Sequence, residues 1–217
     1  MLKVLNLFSG IGGNRRLWED VEVTAVEYNA EIAAIYQEYF PNDTVIVADA
    51  HEYLLAHYKE FDFIWASPPC QSHSRVRAMA SKKGDYSAIF PDMKLWQEII
   101  FLKKFSVCPF VIENVIPYYE PLIKNDFALE RHLFWCNFSF AVVDLEKVNR
   151  INSKIGNNDT LYGYNISGRL VKTVGKNQIL RNLVNPEIGL AILDQVRGIK
   201  RKSKLKQISI LDVADGA

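Results

Sequence analysis

A short apolar run ending in a glycine-rich turn, followed by strand-like and helix-like segments in alternation, is the feature that most limits what this chain can fold into. Lys3–Phe8 is the run and Ser9–Gly13 the turn. Asn14–Trp18 begins a helical pattern, Val21–Glu27 is the next strand, and Ala30–Phe40 reads as a helix stopped by Pro41. Thr44–Ala48 is β-branched and strand-like, Tyr53–Tyr58 is helical, and Phe61–Ala66 is a buried strand. Leu95–Phe105 is a further helix and Phe110–Glu113 a further strand. This order predicts an α/β fold, a mostly parallel sheet with helices on both faces. Ligands of such sheets sit at the carboxyl ends of the strands. The chemically suggestive residues of this half, Ser9–Gly13, Glu27, Asp49, Ser67–Gln71 and Glu113–Val115, each lie just after or at the end of a strand. They should converge on one edge of one sheet.

The second half reads less clearly. Leu133–Val143 is rich in aromatic and β-branched residues and suits one or two strands. Residues 149–176 are polar, with Gly/Asn-rich turn signals. Pro186–Val196 is a helix with proline in its favoured first turn. The tail from Lys200 to Lys206 is basic.

The charge balance bounds the partners. Lys and Arg number 26 and Asp and Glu 25, so there is no global nucleic-acid signature, and any basic surface is local. Three cysteines at long spacings, Cys70, Cys108 and Cys136, argue against a disulfide framework and for a reducing compartment. The first residues lack the pattern of a signal peptide, and no apolar stretch approaches the ~18 residues of a membrane span. The expectation is a cytoplasmic protein of one domain without membrane contact.

Two sites emerge. The turn holds Phe8, Ser9, Gly10, Gly12 and Gly13, whose glycines let the backbone approach a ligand closely, and a helix opening there would offer free N–H groups. A Gly-rich turn alone is weak evidence. Glu27, at the end of the second strand, suits a ribose diol. Tyr28 beside it can stack on adenine, and Asp49, followed by Ala50, can accept from the adenine amino group. Each carboxylate alone reads as a solvated strand end. Together, in order, they favour an adenosyl ligand. The second site is Ser67-Pro68-Pro69-Cys70-Gln71. Two prolines stiffen the loop and project a thiol that, as thiolate, attacks electron-poor carbon. Glu113 and Asn114 end a strand at the same edge and add a carboxyl group. Buried structural thiol is the common fate of cysteine, and it suits Cys108 and Cys136 better than Cys70, whose neighbours are polar. Cys70 and His73 have Cys-x-x-His spacing, but with no second pair no metal is expected.

These segments resemble the DNA cytosine-5 methyltransferase family. Leu7–Gly13 resembles its first motif, Glu27-Tyr28 its second and Asp49 its third. Pro69-Cys70-Gln71 resembles the nucleophile motif, Glu113-Asn114-Val115 the glutamate motif, residues 130–135 the arginine motif and residues 181–186 the last motif, whose Asn182 returns to the cofactor pocket. The resemblance runs from about residue 3 to residue 196 and implies a Rossmann-like class I fold that binds S-adenosylmethionine, with Pro68 also at the cofactor. Asn6 stands where the family often has Asp. In the arginine motif, Arg131 is the favoured contact to the target base, with His132 the competing register. The stretch before the last motif is short for a target-recognition region. The implied division is a catalytic core over 1–137, a recognition region over 138–177, a returning helix over 178–197 and a basic tail over 198–217.

The implied chemistry is methylation of cytosine carbon 5. Cys70 attacks carbon 6, Glu113 donates to nitrogen 3, Asn114 positions Glu113 or the cysteine loop, and Arg131 holds the base carbonyl. The base must leave the duplex for this. The loop Gln71–Tyr86, with Arg75, Arg77, Lys82 and Lys83, is placed to close over double-stranded DNA, and Arg150, Lys154, Arg169 and Lys172 are candidate readers of its sequence. The resemblance leaves open transfer RNA as substrate, a non-catalytic partner subunit, self-association, and a separate recognition or restriction subunit. An amino-group methyltransferase would need an aromatic residue where Cys70 stands.

Overall fold

A computed structural model of the chain describes residues 1–141, 160–167 and 171–199. The elements in order are β1 (Leu2–Leu7), β2 (Val21–Glu27), α1 (Ala30–Tyr39), β3 (Thr44–Val47), α2 (Ala50–His57), β4 (Phe63–Ala66), α3 (Arg75–Lys82), α4 (Lys94–Phe105), β5 (Phe110–Val115), β6 (Phe127–Leu129), β7 (His132–Cys136), β8 (Thr160–Leu161), β9 (Tyr164–Asn165), α5 (Lys176–Arg181) and α6 (Pro186–Val196). Seven strands form one sheet in the order β3-β2-β1-β4-β5-β7-β6. β1 to β5 pair in parallel, whereas β7 is antiparallel to β5 and β6. This is the Rossmann-like class I methyltransferase fold. Strand order reverses between β1 and β4, and a crevice opens there for a ligand.

Strand alternation sends neighbouring side chains to opposite faces, which gives two cores. Val4, Trp65 and Val111 pack with Tyr36 of α1 and with Ile188 and Ile192 of α6. Leu5, Ile64 and Ile112 pack with Leu54 of α2 and with Leu95, Ile99 and Leu102 of α4. The last three recur at helical spacing and form the buried stripe of α4. Helices therefore cover both faces, as the alternation predicted.

Two local expectations are corrected. Asn14–Trp18 is not a helix. The segment is a chain of turns closed by bonds from Arg15 N to Gly12 O, Arg16 N to Gly13 O and Trp18 N to Arg15 O, all three residues apart. The run is too short before β2 to add turns, and Trp18 is drawn into the core. The space beside it is taken by α6: a Cβ at Gly189 would overlap the Asn14 carbonyl. The second correction concerns Gln71–Tyr86, read as a loop. It contains α3, which buries none of its residues, so no apolar stripe announced it. The strand β6 and the helix α5 were also not anticipated.

The candidate recognition stretch falls largely outside the described residues, as do Arg150, Lys154, Arg169 and the tail from Lys200. Its described part packs on α1 and the glycine turn. Tyr164 Oη donates to Gly12 O at 2.6 Å, Tyr39 Oη to Asn165 O at 2.8 Å, and Lys172 N to Glu31 Oε2 at 2.9 Å. Among the described residues no helix is long and apolar enough to cross a membrane.

Candidate active site

Beneath the glycine turn, Asn6 is fully buried and its Oδ1 accepts from Asn14 Nδ2 at 2.8 Å. An amide at this position thus ties β1 to the segment after the turn. Phe8 and Gly10 both have φ of 54°, and a Cβ at Gly10 would meet open space. Gly12 is required by packing: its φ is 85°, and a side chain would overlap the Phe40 ring and lie 2.9 Å from the Tyr36 ring. The turn is therefore open on one side and wedged on the other.

Glu27 leaves the end of β2 and grips this turn. Its Oε2 accepts from Gly10 N at 3.0 Å and its Oε1 from Asn29 N at 2.9 Å. Burial pushes its carboxyl up from the ordinary value, against these bonds. Each oxygen keeps a further lone pair for a ligand hydroxyl. Tyr28 is exposed at the rim. Asp49 has a structural duty that sequence did not single out: it is the N-cap of α2, with Oδ1 accepting from His51 N at 2.8 Å and Glu52 N at 3.2 Å. That cap also starts α2 at Ala50, ahead of the expected Tyr53. Burial pushes the Asp49 carboxyl up, but the N–H groups of Glu52 and His51 and the Lys94 ammonium outweigh it and hold it low.

Phe8, Ser9, Gly10, Gly13, Glu27, Tyr28, Asp49 and Ala50 line a single cavity of about 570 Å³, and so do Pro68, Cys70, Glu113, Asn114, Arg131 and Asn182. The sequence-predicted residues from Phe8 to Asn182 are thus brought together, apart from Gly12, which supports the turn from behind. Cys70 is partly exposed while Cys108 and Cys136 are buried, as their surroundings implied. Burial, and then the Glu113 carboxyl, push the Cys70 thiol up, while Arg131 pulls it down. Asn114 is buried and its Nδ2 donates to Pro68 O at 2.9 Å, joining the end of β5 to the cysteine loop. Arg131 turns its guanidinium to the Arg181 carbonyl at the start of the last motif.

Three further wall residues escaped the sequence reading in part or whole. His132, the competing register to Arg131, lies with Nε2 3.2 Å from Glu113 Oε1. His73 is fully buried, its Nδ1 2.5 Å from Tyr119 Oη, and its backbone N–H donates to Cys70 O at 3.0 Å. It is a brace for the cysteine turn, and Cys-x-x-His spacing was the wrong signal for it. Lys94, 3.5 Å from Asp49 Oδ2, begins α4 and carried no motif. Among the described residues no group of three or more His, Cys, Asp or Glu is arranged to hold a metal ion.

Comparison with known proteins came to the same segments. No curated protein matches the chain. Among solved structures, a methyltransferase of Entamoeba histolytica is 18% identical, with 53% of this chain and 38% of that one covered and a TM-score of 0.36. A DNMT2 variant of Spodoptera frugiperda is 26% identical, covering 53% and 36%, with a TM-score of 0.37. A putative DNA modification methyltransferase encoded within an Escherichia coli prophage is 23% identical, covering 55% and 34%, with a TM-score of 0.37. The chain thus matches little more than a third of the length of each. The model of the C-5 cytosine-specific DNA methylase family matches residues 2–121, a span that holds the glycine turn, Glu27, Cys70 and Glu113. With more than half its length so matched, the chain belongs to the C-5 cytosine-specific DNA methylase family.

Proposed function

We propose that the protein transfers a methyl group from S-adenosylmethionine to carbon 5 of cytosine in double-stranded DNA, with Cys70 as nucleophile. The observation that carries this reading is the shared cavity: the thiol of Cys70 and the carboxyl of Glu113 face the same space as Glu27 and the open side of Gly10. Glu27 and Tyr28 fit an adenosyl group, since a partly buried carboxylate suits the ribose hydroxyls and an exposed ring suits the adenine. S-adenosylmethionine supplies an electrophilic methyl group when bound.

The protein's own residues do the rest. Cys70, once deprotonated, adds to carbon 6 of the base. Glu113, buried at the end of β5, is suited to hold a proton and give it to nitrogen 3 as charge develops. Asn114 fixes the loop from which Cys70 acts. Arg131 is the contact to the base carbonyl, and Asn182 closes the cofactor side. Carbon 5 then loses its proton and Cys70 is expelled. The cavity admits a base only after extrusion from the stack, at a cost of a few kcal/mol. The basic helix α3 supports contact with phosphates, because Lys82 and Lys83 are exposed at its end and phosphate contacts supply most non-specific affinity.

A duplex containing 5-fluorocytosine tests the reading, since fluorine at carbon 5 blocks release of Cys70. Wild-type protein with S-adenosylmethionine should form a denaturation-resistant adduct, and Cys70→Ser should form none. Adducts confined to transfer RNA, or methyl groups found on an amino nitrogen, would replace it.

A further inference from the structure

β5 and β7 are antiparallel, with Glu113 opposite Phe134 and Val115 opposite His132. Glu113 and His132 are therefore diagonal neighbours two places apart in register, on one face of the sheet, where long side chains meet. His132 Nε2 lies 3.2 Å from Glu113 Oε1, with side-chain exposures of 5% and 8%. That separation is within N–H···O range, and both residues line the cavity with Cys70. A carboxyl group buried this far is costly to ionise without a donor beside it.

From this pair we infer that His132 is the positioning residue of the acid: its Nε2–H donates to Glu113 Oε1, turns Oε2 toward the base and stabilises the carboxylate formed when Glu113 gives up its proton. The inference rests on the cytosine-5 reading. When Cys70 Sγ bonds to carbon 6, the 5,6 electron pair shifts toward carbon 4 and the carbon 4–nitrogen 3 pair onto nitrogen 3, which takes the proton from Oε2. Carbon 5 then bonds the methyl group of the sulfonium donor and loses its own proton to solvent. Cys70 leaves as thiolate, and nitrogen 3 returns its proton to Glu113. His132 keeps its proton throughout.

Strand pairing sets the surroundings of His132. Its cross-strand neighbours are Val115 on β5 and Leu129 on β6, and neither carries charge. The same cavity wall carries Cys70, on the loop after β4, and Arg131, on the turn before β7. Arg131 and Glu113 act on the Cys70 thiol with opposite sign. Arg131 has its guanidinium on the Arg181 carbonyl.

The test is the single-turnover rate of adduct formation on 5-fluorocytosine duplex with S-adenosylmethionine, followed from neutral to alkaline pH. Melting and calorimetric cofactor binding report on folding. His132→Phe should bind cofactor normally and lose about ten- to a hundredfold in the plateau rate, the scale of a hydrogen bond to a charged group. Its alkaline limb should move to higher pH, because the donor that favoured the ionised carboxyl is gone. His132→Ala carries the same expectation should phenylalanine disturb the strand. His132→Gln, which keeps an N–H donor, should recover most of the rate and the wild-type limb. Folded loss variants with a wild-type rate, or with a lower rate and an unmoved limb, would overturn the inference. Glu113→Gln forming adduct at the wild-type rate would instead remove the reading beneath it.

Discussion

Asn114 Nδ2 donates to Pro68 O at 2.9 Å across 46 positions of sequence, so the strand that carries Glu113 also holds the loop that carries Cys70. Asn114→Ala leaves the Pro68 carbonyl without this donor. The variant should lose about 1–3 kcal/mol of stability and most of its adduct-forming rate, with cofactor affinity nearly unchanged. Denaturant unfolding and calorimetry separate the three effects.

Cys70 should alkylate slowly at neutral pH. Burial and the Glu113 carboxyl raise its thiol above the ordinary 9.0, and only the thiolate reacts. Arg131→Ala removes the positive neighbour that favours the thiolate and should slow iodoacetamide labelling further at a given pH. Mass spectrometry of the native protein should find the label at Cys70 before the buried Cys108 and Cys136.

Glu27 is raised above the ordinary carboxyl value of 4.5 by burial. A raised acid is protonated in the native state before the unfolded one, so its contribution to folding grows as pH falls through the native value and is lost as pH rises through it. The ribose grip has the opposite sign, because it needs the carboxylate. Affinity for S-adenosylhomocysteine should therefore weaken as pH falls into that raised range, and Glu27→Gln should flatten the dependence. Calorimetric titration at several pH values checks both.

His73 is held neutral by burial, which lowers its imidazole from 6.5. A base with a lowered native value stabilises the fold above its unfolded value and loses that contribution as pH falls below it. The melting temperature should drop as pH goes below 6.5. His73→Phe should lessen the drop, and it keeps the backbone N–H that bonds Cys70 O.

Gly12→Ala combines a left-handed backbone with overlap against Phe40 and Tyr36. A loss of about 1–3 kcal/mol follows from overpacking alone, and thermal melting measures it.

Much of the site was legible because it depends on strand ends. Glu27, Cys70 and Glu113 each follow or close an apolar run, and parallel pairing of β1, β2, β4 and β5 brings such ends to one edge whatever the details. Local pattern was enough for α4 and α6, whose stripes are continuous. It failed where long-range packing decides. The turns after Gly13 look helical until α6 is seen filling the helix's place. α3 has no stripe to read, since none of its residues is buried. His132 was one of two registers because chain spacing cannot say which side of β7 faces the cavity. Pairing with β5 settles the face and brings its imidazole to Glu113.

Gly189 meets Asn14, and Tyr164 meets Gly12, so the first loop of the chain leans on segments made more than a hundred positions later. On the ribosome, that loop lacks both supports until those segments emerge. A chain cut soon after β5 would keep Cys70 and Glu113 yet leave the glycine turn without the packing that Gly189 and Tyr164 bring to it.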